Sequence, residues 1–302
     1  MDCSTIIVSY NTFDLTREAV RTALDGARGL AHQVIVVDNA SPDRTASRLR
    51  EIYRGDDRVV VLSNDENRGF SAANNQGAAV SSGRVLFFLN PDTIVHTGAI
   101  RRLVHYLETH PGVGAIGPRV LNVDGTHQVS TANFESYGSI LHHCFPVFGG
   151  PRSPRTEYPV EVDVINGCAL ALRRDAFDAV GGWDERYFMY SEESELCLAL
   201  HQAGYVNVFV PEAVITHYGG AASADRYVEQ QILASQSTDA FLRRHGTASL
   251  VLFNRVVAAT GYGVRAGVFA VLSRLRSDRA DEYARRGAAA TAIWKYHAFR
   301  TA

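Results

Sequence analysis

Lysine is almost missing from this chain: Lys295 stands alone beside 29 arginines, a bias that genome composition is enough to explain. Cysteine is scarce too. Cys3, Cys144, Cys168 and Cys197 are scattered, with no CxxC pair and no zinc-like spacing. That argues against a disulfide framework or a structural zinc site and favours a reducing compartment. The start shows no basic region and no apolar core of a signal peptide. The most apolar late stretch, Leu250 to Leu272, is broken by Asn254, Arg255 and Arg265. Arginine near a bilayer centre costs about 2.5–3.5 kcal/mol, so this stretch is expected not to span a membrane. Neither a dinucleotide-binding GxGxxG nor a P-loop occurs, and there is no internal repeat or low-complexity segment.

What is present suits an ordinary globular protein. The chain has 302 residues, 46% hydrophobic and 21% charged, enough for a sizeable core without staples. The formal net charge of −2 conceals an asymmetry. From Arg243 onward 11 basic residues face 3 acidic ones, a net of +8, whereas residues 1–242 carry a net of −10. An acidic body of 1–242 with a basic, partly apolar helical extension of 243–302 is the expected division. The tail's basic residues alternate with apolar ones, which fits an anionic membrane surface better than nucleic acid. A solvated helical tail packed on the body is the other reading.

Short β-branched runs at Thr5–Ser9, Val34–Asp38, Val59–Leu62 and Val85–Leu89 alternate with helical spacing, as at Leu15, Ala19, Val20, Ala23 and Leu24. Strands that are apolar throughout and separated by helices predict an α/β fold with a mostly parallel sheet covered on both faces. In such sheets ligands bind beyond the carboxyl ends of the strands. Three strands end there in polar residues: Ser9-Tyr10-Asn11, Asp38-Asn39 and Asn90-Pro91-Asp92. Further on, Asn122 to Gly125 reads as a hairpin turn and Tyr137 to Pro159 as an irregular loop. A strand is expected over Cys168–Leu172, helices over Arg174–Val180 and Glu193–Gln202, and a last strand over Tyr205–Val210. Residues from about Tyr227 read as helical.

Four groups have chemical potential. Asp92 at a sheet edge suits a divalent cation bridging two phosphates, or it caps a following helix. Ser191 reads as an N-cap placing Glu192 and Glu193 in a helix's first turn, where the macrodipole favours carboxylates. Helical spacing sets Glu193 on the face of Cys197 and Leu200, inward, which makes it a candidate general base, with Glu192 and Glu195 on another face. Asn67 to Gly77 opens a helix of small residues whose N-terminus and Arg68 suit an anion, or which packs tightly on the sheet. His217, followed by Tyr218 and Gly219, comes just after the last expected strand and is a candidate metal or phosphate ligand.

In this order and spacing, these stretches resemble the inverting family-2 glycosyltransferases with a GT-A fold, nearest the bacterial rhamnosyltransferase-like subgroup. The resemblance runs from about Thr5 to His245. It is carried by Ile6 to Asn11, Val36 to Ser41, Asn67 to Gly77, Phe88 to Asp92, Gly181 to Glu185, Phe188 to Tyr190 with the following acids, and His217 to Ser223. It implies a nucleotide-sugar donor, with dTDP-rhamnose the first choice, and a magnesium or manganese ion. Ser9, Tyr10, Asp38, Asn39, Asn67, Arg68, Gly69, Asn75 and Asn90 would then bind the donor. Asp92 and His217 would hold the metal, and Glu193 would be the catalytic base. Trp183, Asp184 and Glu192 would lie on the acceptor side, facing a saccharide or polyprenyl-linked saccharide. The setting implied is cytoplasmic, at the inner face of the cytoplasmic membrane, in cell-envelope or extracellular polysaccharide synthesis. Two departures stand out: the family's DxD motif appears as Asn90-Pro91-Asp92, and its usual Glu-Asp pair as Glu192-Glu193. Rival readings are a sugar-1-phosphate nucleotidyltransferase, whose glycine-rich loop after the first strand is replaced here by Tyr10-Asn11-Thr12-Phe13, and a catalytically silent binding protein.

Overall fold

The computed structural model describes residues 1–145, 154–219 and 227–299. They divide into two compact units. One is formed by 1–133, 154–188 and 192–219, the other by 134–145, 189–191 and 227–299.

The first unit is built on a parallel sheet. Strands β1 (Cys3–Ser9), β2 (His32–Asp38), β3 (Val59–Ser63) and β4 (Val85–Leu89) lie in the order β3-β2-β1-β4. Helices α1 (Phe13–Gly26), α2 (Thr45–Ile52) and α3 (Gly69–Val80) connect them. All five residues of β4 are buried, and burying each large side chain contributes about 1.5–3 kcal/mol. The register sets Ser9 opposite Asp38, Asp38 opposite Ser63 and Ile7 opposite Leu89, so the carboxyl ends of all four strands reach one edge.

Beyond β4 the chain adds β5 (Thr93–Val95), α4 (Ala99–Thr109), β6 (Val113–Leu121) and the short strand β7 (Thr131–Ala132). After the helix α5 (Tyr137–Cys144), which belongs to the second unit, come β8 (Val160–Val162), β9 (Val164–Ile165), β10 (Ala169–Arg173) and α6 (Arg174–Ala179). The unit closes with α7 (Glu192–Gln202) and β11 (Val206–His217). The sheet continues β4-β10-β6-β11-β5: β10 is antiparallel to both neighbours, β6 and β11 are parallel, and β5 runs antiparallel to β11. The mostly parallel α/β architecture is therefore as expected, although β11 runs seven residues past the expected end at Val210.

The expected hairpin at Asn122–Gly125 is formed. Asn122 N–H donates to Thr126 O at 2.8 Å, and Gly125 takes the left-handed φ of 81° that such a turn requires. The stretch expected as an irregular loop instead begins with α5, capped by a reciprocal pair of bonds between Ser136 and Ser139. A serine at the third helical position in place of the more usual glutamate is why the cap is hard to read in sequence.

The second unit is helical, as expected from Tyr227 on: α8 (Tyr227–His245), α9 (Ala248–Leu275), a 3-10 turn (Ser277–Arg279) and α10 (Ala280–Phe299). By length and composition α9 is long and apolar enough to cross a membrane. The two arginines that count against spanning are bonded to backbone carbonyls. Arg255 Nε donates to His297 O at 3.1 Å, and Arg265 Nη2 donates to His143 O at 2.7 Å. Leu252, Val256, Val264, Val268, Val271 and Leu275 are left exposed along the helix.

Candidate active site

At the carboxyl edge, donor-side residues are locked into one another. Asn39 is buried; its amide donates to Asn67 Oδ1 and to Gly69 O, both at 3.0 Å, while its Oδ1 accepts from Asn64 Nδ2 at 2.9 Å and Arg68 N at 3.2 Å. Asn64 and Gln76 exchange a further pair of amide bonds at 2.9 and 3.0 Å. Asn39 is thus saturated by the protein and sets the path of Asn67–Gly69. Gly69 has φ +83°, and a Cβ there would lie 2.7 Å from Phe188 O, so only glycine fits. Arg68 is exposed at the start of α3, and no ion pair engages its guanidinium among the described residues.

Asp38 is buried, and burial pushes its carboxyl above the usual range. It accepts from Ser41 Oγ and, at 3.3 Å, from Ala46 N, which ties down the chain entering α2. Ser9 is fully buried, its hydroxyl held by Thr16 Oγ1 at 2.8 Å and Thr12 Oγ1 at 3.1 Å beneath α1. Tyr10, next along, is half-buried at the strand's end. Asn11 and Ala40, after β1 and β2, hold left-handed φ values of 57° and 64°. Strained backbone of this kind gathers at functional edges.

Asp92 lies just ahead of β5, a strand, so capping a following helix does not explain it. It is 3% exposed, and Oδ1 stands 3.1 Å from His217 Nε2. The pairing of β5 with β11, with His217 opposite Thr93, produces this approach. Asn90 Nδ2 lies 3.5 Å from the same nitrogen. No cluster of three or more His, Cys, Asp or Glu suited to a metal occurs among the described residues. Among the described residues Asp92 and His217 could supply two ligands to a cation, a number that suits one completed by phosphate oxygens and water, the usual manner of Mg²⁺. Gly220 to Ser223, the rest of the stretch after His217, lies outside the described residues.

Glu192 and Glu193 open α7, following two consecutive left-handed residues, Tyr190 (φ 71°) and Ser191 (φ 63°). Ser191 is therefore not the extended-backbone N-cap expected from sequence. Glu193, half-buried as a residue, turns its carboxyl inward near Cys168 and Cys197 as the spacing predicts, but Glu192 and Glu195 are buried as well, with Tyr187 Oη donating to Glu195 Oε2 at 3.0 Å. Oε2 of both Glu192 and Glu193 is shut from solvent without a hydrogen-bond partner. Desolvation raises both carboxyls, and the neighbouring charge of Glu193 lifts Glu192 furthest. Cys168 links the two acidic groups: its thiol is pushed up to about 12, chiefly by burial, with the Asp92 and Glu193 carboxylates both adding to the shift.

The acceptor-side residues behave differently. Trp183 is 2% exposed, edge-on to Phe88 at 5.0 Å and to Phe70 at 5.5 Å, and its indole N–H is buried without a partner. Asn75, expected to touch the donor, grips this segment, donating to Trp183 O and Glu185 Oε1 at 2.9 Å and accepting from Trp183 N at 3.0 Å. Asp184 is paired with Arg186. Sequence reasoning assigned no role to Asn64 and Gln128, whose partners Asn39 and His217 lie 25 and 89 positions away.

A family model for glycosyl transferase family 2 matches residues 4–181. An N-acetylglucosaminyl-diphospho-decaprenol L-rhamnosyltransferase of Mycobacterium tuberculosis is 31% identical over 206 residues, covering 61% of this chain and 66% of the relative. A low-salt glycan biosynthesis hexosyltransferase of Haloferax volcanii is 29% identical, covering 65% and 60%. The chain thus spans between three fifths and two thirds of the length of these two relatives. Among solved structures, a Pyrobaculum calidifontis mannosyltransferase in complex with GDP-Man and Mn²⁺ matches with a TM-score of 0.62 at 17% identity, over 98% of this chain and 87% of that one. The glycosyltransferase GalNAc-T7 with UDP, GalNAc and Mn²⁺ matches at 0.59 and 17%, over 85% and 55%. These two likenesses support the GT-A fold.

Proposed function

The chain belongs to glycosyl transferase family 2, and on that footing we propose that it transfers L-rhamnose from dTDP-rhamnose, with inversion, to a saccharide or polyprenyl-linked saccharide acceptor. The product would enter cell-envelope or extracellular polysaccharide. The rhamnosyl and lipid-linked parts of this reading are supported by the name of the mycobacterial relative. The observation that carries the reading is the approach of Asp92 to His217 at the sheet edge, 3.1 Å apart, with the Asn39–Asn67–Gly69 knot formed beyond the ends of neighbouring strands.

Asp92 and His217 would hold Mg²⁺ or Mn²⁺, which would supply positive charge opposite the departing diphosphate. Arg68 and the amino end of α3 receive phosphate, and Tyr10, Asp38 and Asn90 border the donor. Glu193 takes the proton from the acceptor hydroxyl as that oxygen bonds to the anomeric carbon. The bond from that carbon to the diphosphate oxygen breaks, its electron pair leaving with the diphosphate. Glu193 is given this role over Glu192 by its match to the family's base position and by its nearness to Cys168, on which the Asp92 charge also acts. Glu192 and Asp184 border the acceptor, and Trp183 backs it from within the core.

The exposed apolar stripe of α9, flanked by the basic tail, supports peripheral attachment to an anionic membrane at its cytoplasmic face. The deciding experiment screens nucleotide-sugars with Mn²⁺ for thermal stabilisation and assays the hit for transfer. dTDP-rhamnose should stabilise only with metal and give an inverted product, and Glu193→Gln should bind it undiminished without turnover. Transfer by that variant would remove Glu193 from the role; stabilisation by a different nucleotide-sugar alone would remove rhamnose.

A further inference from the structure

The hairpin after β6 meets the metal-side histidine through a chain of side chains whose direction is fixed from its far end. Asp124, an exposed turn residue, carries a carboxyl held below its usual range by bonds from Thr126. As a carboxylate it can only accept. The Thr126 hydroxyl donates to Asp124 Oδ1 at 2.6 Å, so its oxygen must accept the contact from Asn122 at 2.9 Å. Asn122 therefore presents Nδ2 to Thr126 and Oδ1 to Gln128, which donates from Nε2 at 2.8 Å. The Gln128 amide is thereby oriented, with Nε2 also 3.5 Å from His217 O and Oε1 2.6 Å from His217 Nδ1. An amide oxygen cannot donate, so the proton on that contact belongs to His217 Nδ1.

We propose that the turn from Asn122 to Gln128 is a polarity-setting strut that holds His217 as its Nδ1–H tautomer and so offers an unprotonated Nε2 to the cation site. Resting on the metal reading above, this assigns Gln128 as a positioning residue, with Asn122, Thr126 and Asp124 behind it. With Nδ1 carrying the proton of the neutral ring, the Nε2 lone pair faces Asp92 Oδ1 at 3.1 Å, and the two atoms would be offered together to a cation, whereas a second proton on Nε2 would close an ion pair with Asp92 instead. The strut lowers the cost of binding by disfavouring the tautomer that would put a proton where the metal belongs. Asp124 and Thr126 are exposed and Asn122 and Gln128 half-buried, so their side chains can be changed without opening the core.

The test is imidazole nitrogen NMR at pH 8.5, above the ordinary histidine range, with His217→Asn used to assign the resonance. The same proteins are titrated with Mn²⁺ in the presence of dTDP. The parent should show Nδ1–H and an unprotonated Nε2. Gln128→Leu should show a mixed or reversed tautomer and lose about tenfold or more in Mn²⁺ affinity. Gln128→Glu, whose carboxylate still accepts from Nδ1, should restore both, and Thr126→Val should give a smaller change in the same direction. An Nε2–H parent, or a Gln128→Leu protein with parental tautomer and affinity, overturns the proposal. Failure of the parent to bind Mn²⁺ with nucleotide would instead overturn the metal reading, whereas the tautomer measurement stands independently of it.

Discussion

Asn75 clasps the backbone of Trp183 from both sides, accepting from its N–H at 3.0 Å and donating to its C=O at 2.9 Å. Asn75→Ala should therefore act on folding before ligand. Two lost bonds to partly buried backbone groups cost about 1–3 kcal/mol, measurable in urea. Donor affinity, measured at a temperature where the variant is folded, should change less than twofold. A large loss of donor affinity without loss of stability would return Asn75 to the donor pocket.

Gly69→Ala tests the tight approach of α3 to Phe188. A left-handed φ of 83° costs an alanine about 1 kcal/mol, and its Cβ would meet Phe188 O at 2.7 Å, which requires the backbone to shift. The expected loss is about 2 kcal/mol or more, with weakened nucleotide binding. A parental unfolding midpoint would show that the segment yields freely.

The Glu192–Glu193 pair gives stability a pH dependence of definite sign. Both folded-state carboxyls lie above the ordinary glutamate value of about 4.3, so the folded protein keeps protons that the unfolded chain has released. Stability should fall as pH rises from about 4.3 toward the raised folded values. Glu192→Gln removes the more strongly raised member. It should be more stable than the parent at pH 7.5 by on the order of 1 kcal/mol or more, the gain vanishing at pH 4. Parallel denaturation curves at the two pH values decide this; a variant less stable than its parent at pH 7.5 would contradict it.

The α9 stripe predicts lipid binding by an exposed surface. Val264→Asp with Val268→Asp alters two outward residues, so the circular dichroism spectrum should not change. Partition onto vesicles of phosphatidylglycerol and phosphatidylcholine should fall about tenfold, and the parent should bind pure phosphatidylcholine more weakly. Equal sedimentation of parent and variant would exclude this face.

Legibility in the sequence followed the range of the interactions. The four parallel strands were readable because each is apolar along its own length, and Asn90-Pro91-Asp92 because it ends one of them. The antiparallel insertion of β10 between β4 and β6 was not, since pairing of that kind is decided by distant partners. Asn39 and Asn75 were recognisable as polar residues at a functional edge. That one ties together Asn64, Asn67, Arg68 and Gly69, and the other Trp183, depended on neighbours 25 to 108 positions away. Arg255 and Arg265 were legible as charges in an apolar stretch, but not that backbone carbonyls of α10 and α5 receive them.

The chain has two tryptophans, and they fall in different units: Trp183 inside the sheet-built one, Trp294 in the helical one. Each unit therefore carries its own optical reporter. With Trp183→Phe the emission left belongs to the helices, and with Trp294→Phe it belongs to the buried indole against Phe70 and Phe88. Two melting curves from two single replacements would tell whether the units come apart together or in turn.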